Sequence, residues 1–312
     1  MKVHFWGVRG SIPAPITPQQ IQAKIIAIIQ RITEKDIVTP DARERFISNL
    51  PDWQFGTIGG NTPCVSIKGS DNTEIILDAG SGIRCYGKEN EIPENKEYNI
   101  FFSHFHWDHI QGLPFFDKAY NPETTINIYS GFDNAKEYLE NQMKYTYFPV
   151  SFEAFTKNIT FHKLEEGLEY KIGAITVSIC KMSHPGSSYS FAFTDKGKKV
   201  VYATDVELKQ DDYKNSESHD LVFKNADYLI IDSQYTVDEA NKKVNWGHSA
   251  FCSVIDFAVH WNVKKVFLFH HEPTYSDKKL DAILQSARWY AKYIAHSDLQ
   301  VYLSIENQEF ET

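Results

Sequence analysis

The stretch Ser103-His104-Phe105-His106-Trp107-Asp108-His109 places three histidines and one aspartate within six residues, directly after the apolar run Ile100-Phe101-Phe102. That run reads as a short buried strand, and Ile110-Gln111-Gly112-Leu113-Pro114 opens a new element. Residues two apart in an extended chain share a face, so His104 and His106 point the same way and can grip one ion. A turn into a helix would splay Asp108 and His109 to the other side, beside a second ion. Imidazole suits zinc and other borderline metals, while a carboxylate adds an oxygen ligand and lowers the net charge of the site. The stretch predicts a metal site.

Working outward, further strand ends offer polar groups. Glu74-Ile75-Ile76-Leu77 runs into Asp78 and then Ala79-Gly80-Ser81-Gly82, where the carboxylate either orients a metal-bound histidine or caps its own loop. Ile175 to Cys180 leads to His184, Lys199 to Ala203 leads to Asp205, and Val266 to Phe269 leads to His270-His271. A lone strand-end histidine is commonly structural. Three such ends beside one histidine-rich loop point to a shared site, because layered α/β folds collect their sites at strand ends. Leu229-Ile230-Ile231 likewise ends in Asp232, and Gly247-His248-Ser249 opens the helical pattern Phe251, Ile255, Ala258, Val259. A histidine near a helix N-terminus resists protonation unless a carboxylate such as Asp232 compensates. A His248–Asp232 pair of that kind would shuttle a proton to a leaving group.

Near the N-terminus, a strand over residues 2–12 turns at Gly7-Val8-Arg9-Gly10-Ser11, whose amides would approach an anion and whose Arg9 would add a phosphate contact. Residues 14–57 read as a helical hairpin inserted into a strand-rich scaffold. Thr17 caps a first helix beginning at Pro18, and a second runs from Asp41 to Leu50. Ile21, Ile25, Ile28, Ile29 and Ile32 recur at helical spacing and predict a packed face, as a lid or a subunit contact. Thr125 to Tyr129 reads as a strand and Asp133 to Lys144 as a helix. The aromatic segment Met143 to Val150 either walls a pocket and stacks a substrate ring or packs on its own core.

With 312 residues, 42% hydrophobic and 14% aromatic, the chain has ample material for a core. Its formal net charge of −9 argues against a generic nucleic-acid binder, which would show a basic footprint. Cys64, Cys85, Cys180 and Cys252 are dispersed without a C-x-x-C pair, the usage of reduced cytosolic thiols. The opening residues read as a strand, without a secretory leader, and no apolar run is long enough to span a bilayer. The expectation is a cytoplasmic protein without membrane partners.

Taken together, His104-Phe105-His106-Trp107-Asp108-His109 resembles the H-x-H-x-D-H motif of the metallo-β-lactamase superfamily, with Asp78, His184, Asp205 and His270 following in the family's order. The resemblance implies an α/β (α+β) fold, a four-layer αβ/βα sandwich spanning residues 1–312 as one domain with a helical insertion at about 14–57. It implies two divalent metal ions, zinc first, with manganese or iron as alternatives. His104, His106 and His184 would hold one, and Asp108, His109 and His270 the other. Asp205 would bridge them, as in the phosphodiesterase branch, and Asp78 would orient a histidine. A narrower resemblance joins Gly247-His248-Ser249 and Val263 to His270 to RNase Z, with Asp232 standing where that group carries a glutamate. The long arm with which RNase Z grips tRNA is not recognisable between His109 and Asp205. Gly7 to Pro13, Gly59-Gly60-Asn61-Thr62 and Phe269 to Pro273 look instead like a bacterial group associated with cyclic nucleotide hydrolysis. The resulting expectation is a phosphodiesterase of 3′,5′-cyclic nucleotides. Asp108, His248 and Asp232 would be catalytic, and Arg9, Asn61 and His271 would contact a small phosphodiester substrate. The alternatives are an RNase Z-like endoribonuclease or a lactone or thioester hydrolase; the oligomeric state is left open, with a homodimer among the options.

Overall fold

Apolar side chains alternate along the strands, and the alternation assembles the chain into two sheets that share a core. The computed structural model describes residues 1–214 and 216–312. The first half contributes β1 (Lys2–Gly7), β2 (Cys64–Lys68), β3 (Glu74–Leu77), β4 (Glu97–Phe102), β5 (Thr125–Ser130) and β6 (Ile159–Lys163). The second contributes β7 (Glu169–Ile172), β8 (Ile175–Met182), β9 (Ser188–Asp195), β10 (Lys198–Ala203), β11 (Tyr228–Asp232), β12 (Lys265–Phe269) and β13 (Gln300–Leu303). A last strand, β14 (Glu309–Glu311), returns to pair with β1. Two seven-stranded sheets result, ordered β14-β1-β2-β3-β4-β5-β6 and β13-β12-β11-β10-β9-β8-β7.

Strand β4 shows the layering in three residues. Phe101 turns inward and meets Phe191 and Phe193 of the opposite sheet edge-on, with ring centroids 5.4 Å apart in both pairs. Its neighbours Ile100 and Phe102 turn to a separate outer core. Four helices, α1 (Pro18–Ile29), α2 (Glu34–Ile37), α3 (Pro40–Ser48) and α4 (Asp52–Phe55), precede β2, and the outer core is completed by later helices, including Ile83 of α5 (Gly82–Glu89), Ile110 of α6 (Trp107–Ile110) and Leu139 of α7 (Ala135–Gln142), the helix expected from Asp133. On the second sheet pack α8 (Glu217–Phe223), then, after the short α9 (Val237–Lys242), α10 (Phe251–His260) and α11 (Asp277–Tyr293). The layer order is the expected αβ/βα sandwich. β3 and β4 are parallel, and β8, β10, β11 and β12 also run in one direction, so their C-terminal ends collect at one edge.

The segment before β2 departs from the sequence expectation. Thr17 does cap a helix starting at Pro18, through a capping box with Gln20. The insertion is not a two-helix hairpin, however; it holds four helices, at Pro18–Ile29, Glu34–Ile37, Pro40–Ser48 and Asp52–Phe55. Nor is the isoleucine stripe packed: Ile21, Ile25 and Ile29 are exposed, and no residue of Pro18–Ile29 is buried. Polar contacts hold this helix and the turn after it in place. Lys24 Nζ donates to Asp277 Oδ2 at 2.5 Å, and Arg31 donates to Gln54 Oε1 at 2.8 Å. Among the described residues, no helix is long and apolar enough to cross a membrane. The four cysteines are free, with Cys64 and Cys180 buried.

Candidate metal centre

At the shared edge, each strand ends where its next side chain meets those of its neighbours. β4 runs into His104, His106, Asp108 and His109, β8 into His184, β10 into Asp205, and β12 into His270. Their donor atoms form two groups, His104, His106, His184 and Asp205, and Asp108, His109, Asp205 and His270, with the atoms of each group within 4.8 Å of one another. Asp205 belongs to both. His109 Nε2 and His270 Nε2 each lie 3.0 Å from Asp205 Oδ1, while His104 Nε2 lies 3.5 Å and His184 Nε2 3.6 Å from Oδ2. Asp78, Asp205 and His270 all adopt positive φ, at 56°, 51° and 58°. Aspartate and histidine tolerate that region better than branched residues, and such turns are held by surrounding contacts.

A metal ligand needs one nitrogen free and the ring fixed by the other, and several rings here are arranged in this way. His109 Nδ1 lies 2.8 Å from Asp78 Oδ2, His184 Nδ1 lies 2.9 Å from the Gly247 carbonyl, and His270 Nδ1 lies 3.2 Å from Gln234 Oε1. His104 Nδ1 meets the Ser103 hydroxyl at 3.1 Å. The inward nitrogens His104 Nε2 and His109 Nε2 are buried without a hydrogen-bond partner. Orphaned imidazole nitrogens aimed at ionised carboxylates are the donor set a divalent cation takes, so the residues present fit a metal pair.

The electrostatics agree with that fit. Burial works against the Asp108 and Asp205 carboxylates, but neighbouring histidines outweigh it and hold both well below the usual carboxylate range. His104 is pushed well below its ordinary value by burial and by the charge of His109. Burial also opposes charge on His109, yet Asp108, Asp205 and Asp78 raise it well above its ordinary value; these carboxylates favour a cation at this point. Ionised carboxylates and neutral imidazoles are the forms that bind metal.

Asp78 reaches the centre as a hub. Besides His109, it accepts from the Ser103 amide, the Ser103 hydroxyl and Tyr202 Oη, each at 2.8 Å. Asp232, at the end of β11, sits 2.5 Å from His248 Nδ1 and is itself fixed by the amides of Gln234 and Ser249. Burial lowers the His248 pKa, but Asp232 more than compensates and the ring is pushed up to about 9.

Three residues expected at the substrate make their hydrogen bonds within the chain. Arg9 is 3% exposed and donates to the carbonyls of Gly59, Glu272 and Tyr275 and to Asp277, so its guanidinium is spent on joining distant loops. Asn61 binds Glu306 and Ser81. His271 is buried, its Nε2 is 2.9 Å from the Ser304 carbonyl, and burial with the nearby Arg9 charge pushes its pKa down to about 3. His270, and not His271, joins the donor groups. The turn after β1 still brings an amide to an anion, because Ser11 N donates to Asp108 Oδ2 at 2.7 Å.

The roles of Tyr202, Gln234 and the Gly247 carbonyl as partners of Asp78, His270 and His184 escaped the sequence reading. Tyr202 is one more residue of an apolar strand, and nothing local marks its hydroxyl as a partner of a residue 124 positions away. Gln234 had a weak signal, standing two residues after Asp232.

A model of the beta-lactamase superfamily domain matches residues 73–271. The Ribonuclease Z of Picrophilus torridus is 23% identical over 277 residues, covering 74% of this chain and 85% of that protein. In structure, the metallo-beta-lactamase fold protein YhfI from Bacillus subtilis superposes with a TM-score of 0.67 at 16% identity, covering 100% of this chain and 98% of that one. The short form of human tRNase Z gives 0.62 at 16% identity, covering 100% and 99%. A donor set built on the H-x-H-x-D-H stretch, an αβ/βα sandwich and a family model over most of the chain converge: the protein belongs to the β-lactamase superfamily, as a metal-dependent hydrolase of the metallo-β-lactamase fold.

Proposed function

We propose that this hydrolase is a dinuclear phosphodiesterase that cleaves an RNA-type phosphodiester in the manner of the Ribonuclease Z relatives. The observation that carries it is Asp205 shared between two donor groups, with the His248–Asp232 pair beside them. His104, His106 and His184 would hold one divalent ion and Asp108, His109 and His270 the other; zinc suits so imidazole-rich a set. When bound, such ions supply Lewis acidity toward phosphoryl oxygens and lower the pKa of water.

The chain's own residues do the rest. Asp78 fixes the His109 ring so that its Nε2 faces inward. Asp232 accepts from His248 Nδ1, which turns the other ring nitrogen free as a donor, and keeps the imidazolium protonated at neutral pH. His248 would then deliver that proton to the departing ribose oxygen, a poor leaving group without it.

The cyclic nucleotide reading stands second. What favours it is the net charge of −9, which weakens long-range attraction for a polyanion. The deciding assay offers zinc- or manganese-loaded protein a precursor tRNA and 3′,5′-cyclic AMP in parallel, with Asp205→Ala as the blank. Cleavage of precursor tRNA by wild type alone supports the first reading, and AMP formation alone the second. Hydrolysis of neither, with metal bound, sinks both.

A further inference from the structure

Beside the donor groups lies a cavity of about 790 Å³, with His104 and His106 among its lining. Its walls include Trp107 and Phe115 just after the histidine stretch, Asn141 and Gln142 at the end of α7, Tyr147 and Phe148 in the loop that follows, and the Pro185–Ser187 turn after β8. This is the size of a ligand site, and it opens onto the place where the reaction would occur.

The lining excludes one class of occupant. Among the described residues, no Lys, Arg, Asp or Glu lines the cavity. A second phosphate or a carboxylate lodged there would be desolvated with nothing to pair it. Whatever enters beyond the scissile group is neutral.

The lining also selects a shape. Phe115 stands edge-on to Phe148 at 5.5 Å, and Phe105 is braced by Phe132 at 5.6 Å and Tyr138 at 5.2 Å. These contacts set rigid apolar walls. Trp107, Phe115 and Tyr147 nonetheless remain 78%, 56% and 70% exposed, a concentration of flat apolar surface around one opening. An aromatic ring inserted among them would bury that surface by stacking.

The polar groups distinguish a heteroaromatic ring from a plain one. Asn141 and Gln142 both bring side-chain amides to the lining, and Gln142 Nε2 has no hydrogen-bond partner among the described residues. A side-chain amide offers one acceptor and two donors, the complement of a base edge. An aliphatic or simple aryl group would leave these amides unsatisfied. Single-stranded recognition elsewhere combines the same two elements, rings to stack on and amides to read the edge.

We propose that this cavity binds the nucleobase attached next to the scissile phosphodiester. The proposal rests on the phosphodiesterase reading and adds the class of substituent the enzyme selects. It holds whether the diester is internal to RNA or cyclic.

The test compares two kinds of diester with the same leaving group: methyl p-nitrophenyl phosphate, which has no base, and the p-nitrophenyl phosphates of thymidine and deoxyadenosine, linked at the 5′ or 3′ oxygen. The metal-loaded protein is expected to show at least tenfold higher kcat/KM on one of the nucleoside esters, chiefly through KM. In Asn141→Ala/Gln142→Ala, and separately in Tyr147→Ala, whose side chain is exposed, that ratio should fall toward one. A wild-type ratio near one for every nucleoside ester, with the methyl ester turned over, overturns the proposal and leaves the phosphodiesterase reading intact. A ratio that neither variant changes also overturns it. If no ester is hydrolysed, the phosphodiesterase reading is decided by the precursor tRNA and cyclic AMP assay, and thymidine and deoxyadenosine titrated against tryptophan fluorescence decide the cavity. Saturable quenching through Trp107 that the variants lose supports a base site, and its absence from wild type rejects one.

Discussion

Asp232 and His248 make the chemistry of this site depend on one contact of 2.5 Å. Burial alone would keep the His248 ring neutral and useless as an acid. The Asp232 carboxylate, with Asp205 and Asp108 farther off, reverses the balance and holds the pKa up to about 9. His248→Ala is therefore expected to lower kcat by about 10²–10⁴-fold, the usual worth of a positioned acid. Its metal content by elemental analysis should match wild type. Loss of metal in step with activity would instead make His248 a ligand, since its ring also groups with Asp205, Asp232 and His270. The sequence already showed both partners, one at a strand end and one before a helix. Whether Asp232 compensates enough to keep the ring protonated was left open there, because the outcome turns on a distance.

The loops at the strand ends carry the next level of organisation. Glu207, just after β10, accepts from the amides of Asn245 and Gly247, and the Gly247 carbonyl in turn fixes His184. Gly247 has φ +89°, and a Cβ there would sit 2.1 Å from His184 Nδ1; Gly186, at φ +80°, has nothing within 4 Å. Both alanine substitutions incur the positive-φ penalty, about 1 kcal/mol or more. Only Gly247→Ala also displaces His184. The expected result is a modest fall in Tm for Gly186→Ala with metal retained, and a larger fall with weakened metal binding for Gly247→Ala. Equal metal affinity in the two variants would remove the loop from any role in holding the ligand. At this scale strands and caps were legible, since β periodicity and Thr17 with Gln20 are local signals. The exposed isoleucines were not, because helical spacing marks an apolar face without saying what covers it.

Across the whole molecule, the centre ties the two sheets together, with ligands from β4 on one side and from β8, β10 and β12 on the other. A metal pair bound only by the folded chain stabilises it by mass action, about 4 kcal/mol at a free concentration a thousandfold above Kd. Chelation is expected to lower the Tm by roughly 5–10 °C in a chain of this size. Asp205→Ala, which removes the group common to both sets of donors, should melt at the same temperature with and without chelator. An unchanged wild-type Tm after chelation, with metal shown to be removed, would mean the pair does not brace the sheets.

The sequence by itself marked the candidate donors, with His270 and His271 left as alternatives at one strand end. The alternation of His104 and His106 and the ends of apolar strands at Asp78, Asp205, Asp232 and His270 are consequences of short-range backbone geometry, which a sequence pattern records directly. Only the tertiary structure decided which polar groups were spent elsewhere. Arg9 meets Asp277 across 268 residues, Asn61 meets Glu306 across 245, and Tyr202 meets Asp78 across 124. The cavity beside His106 likewise exists only once α7 and its following loop are folded against the histidine stretch. A hydrogen-bonding group is committed by whichever partner the fold brings within about 3 Å, and no local pattern encodes that choice.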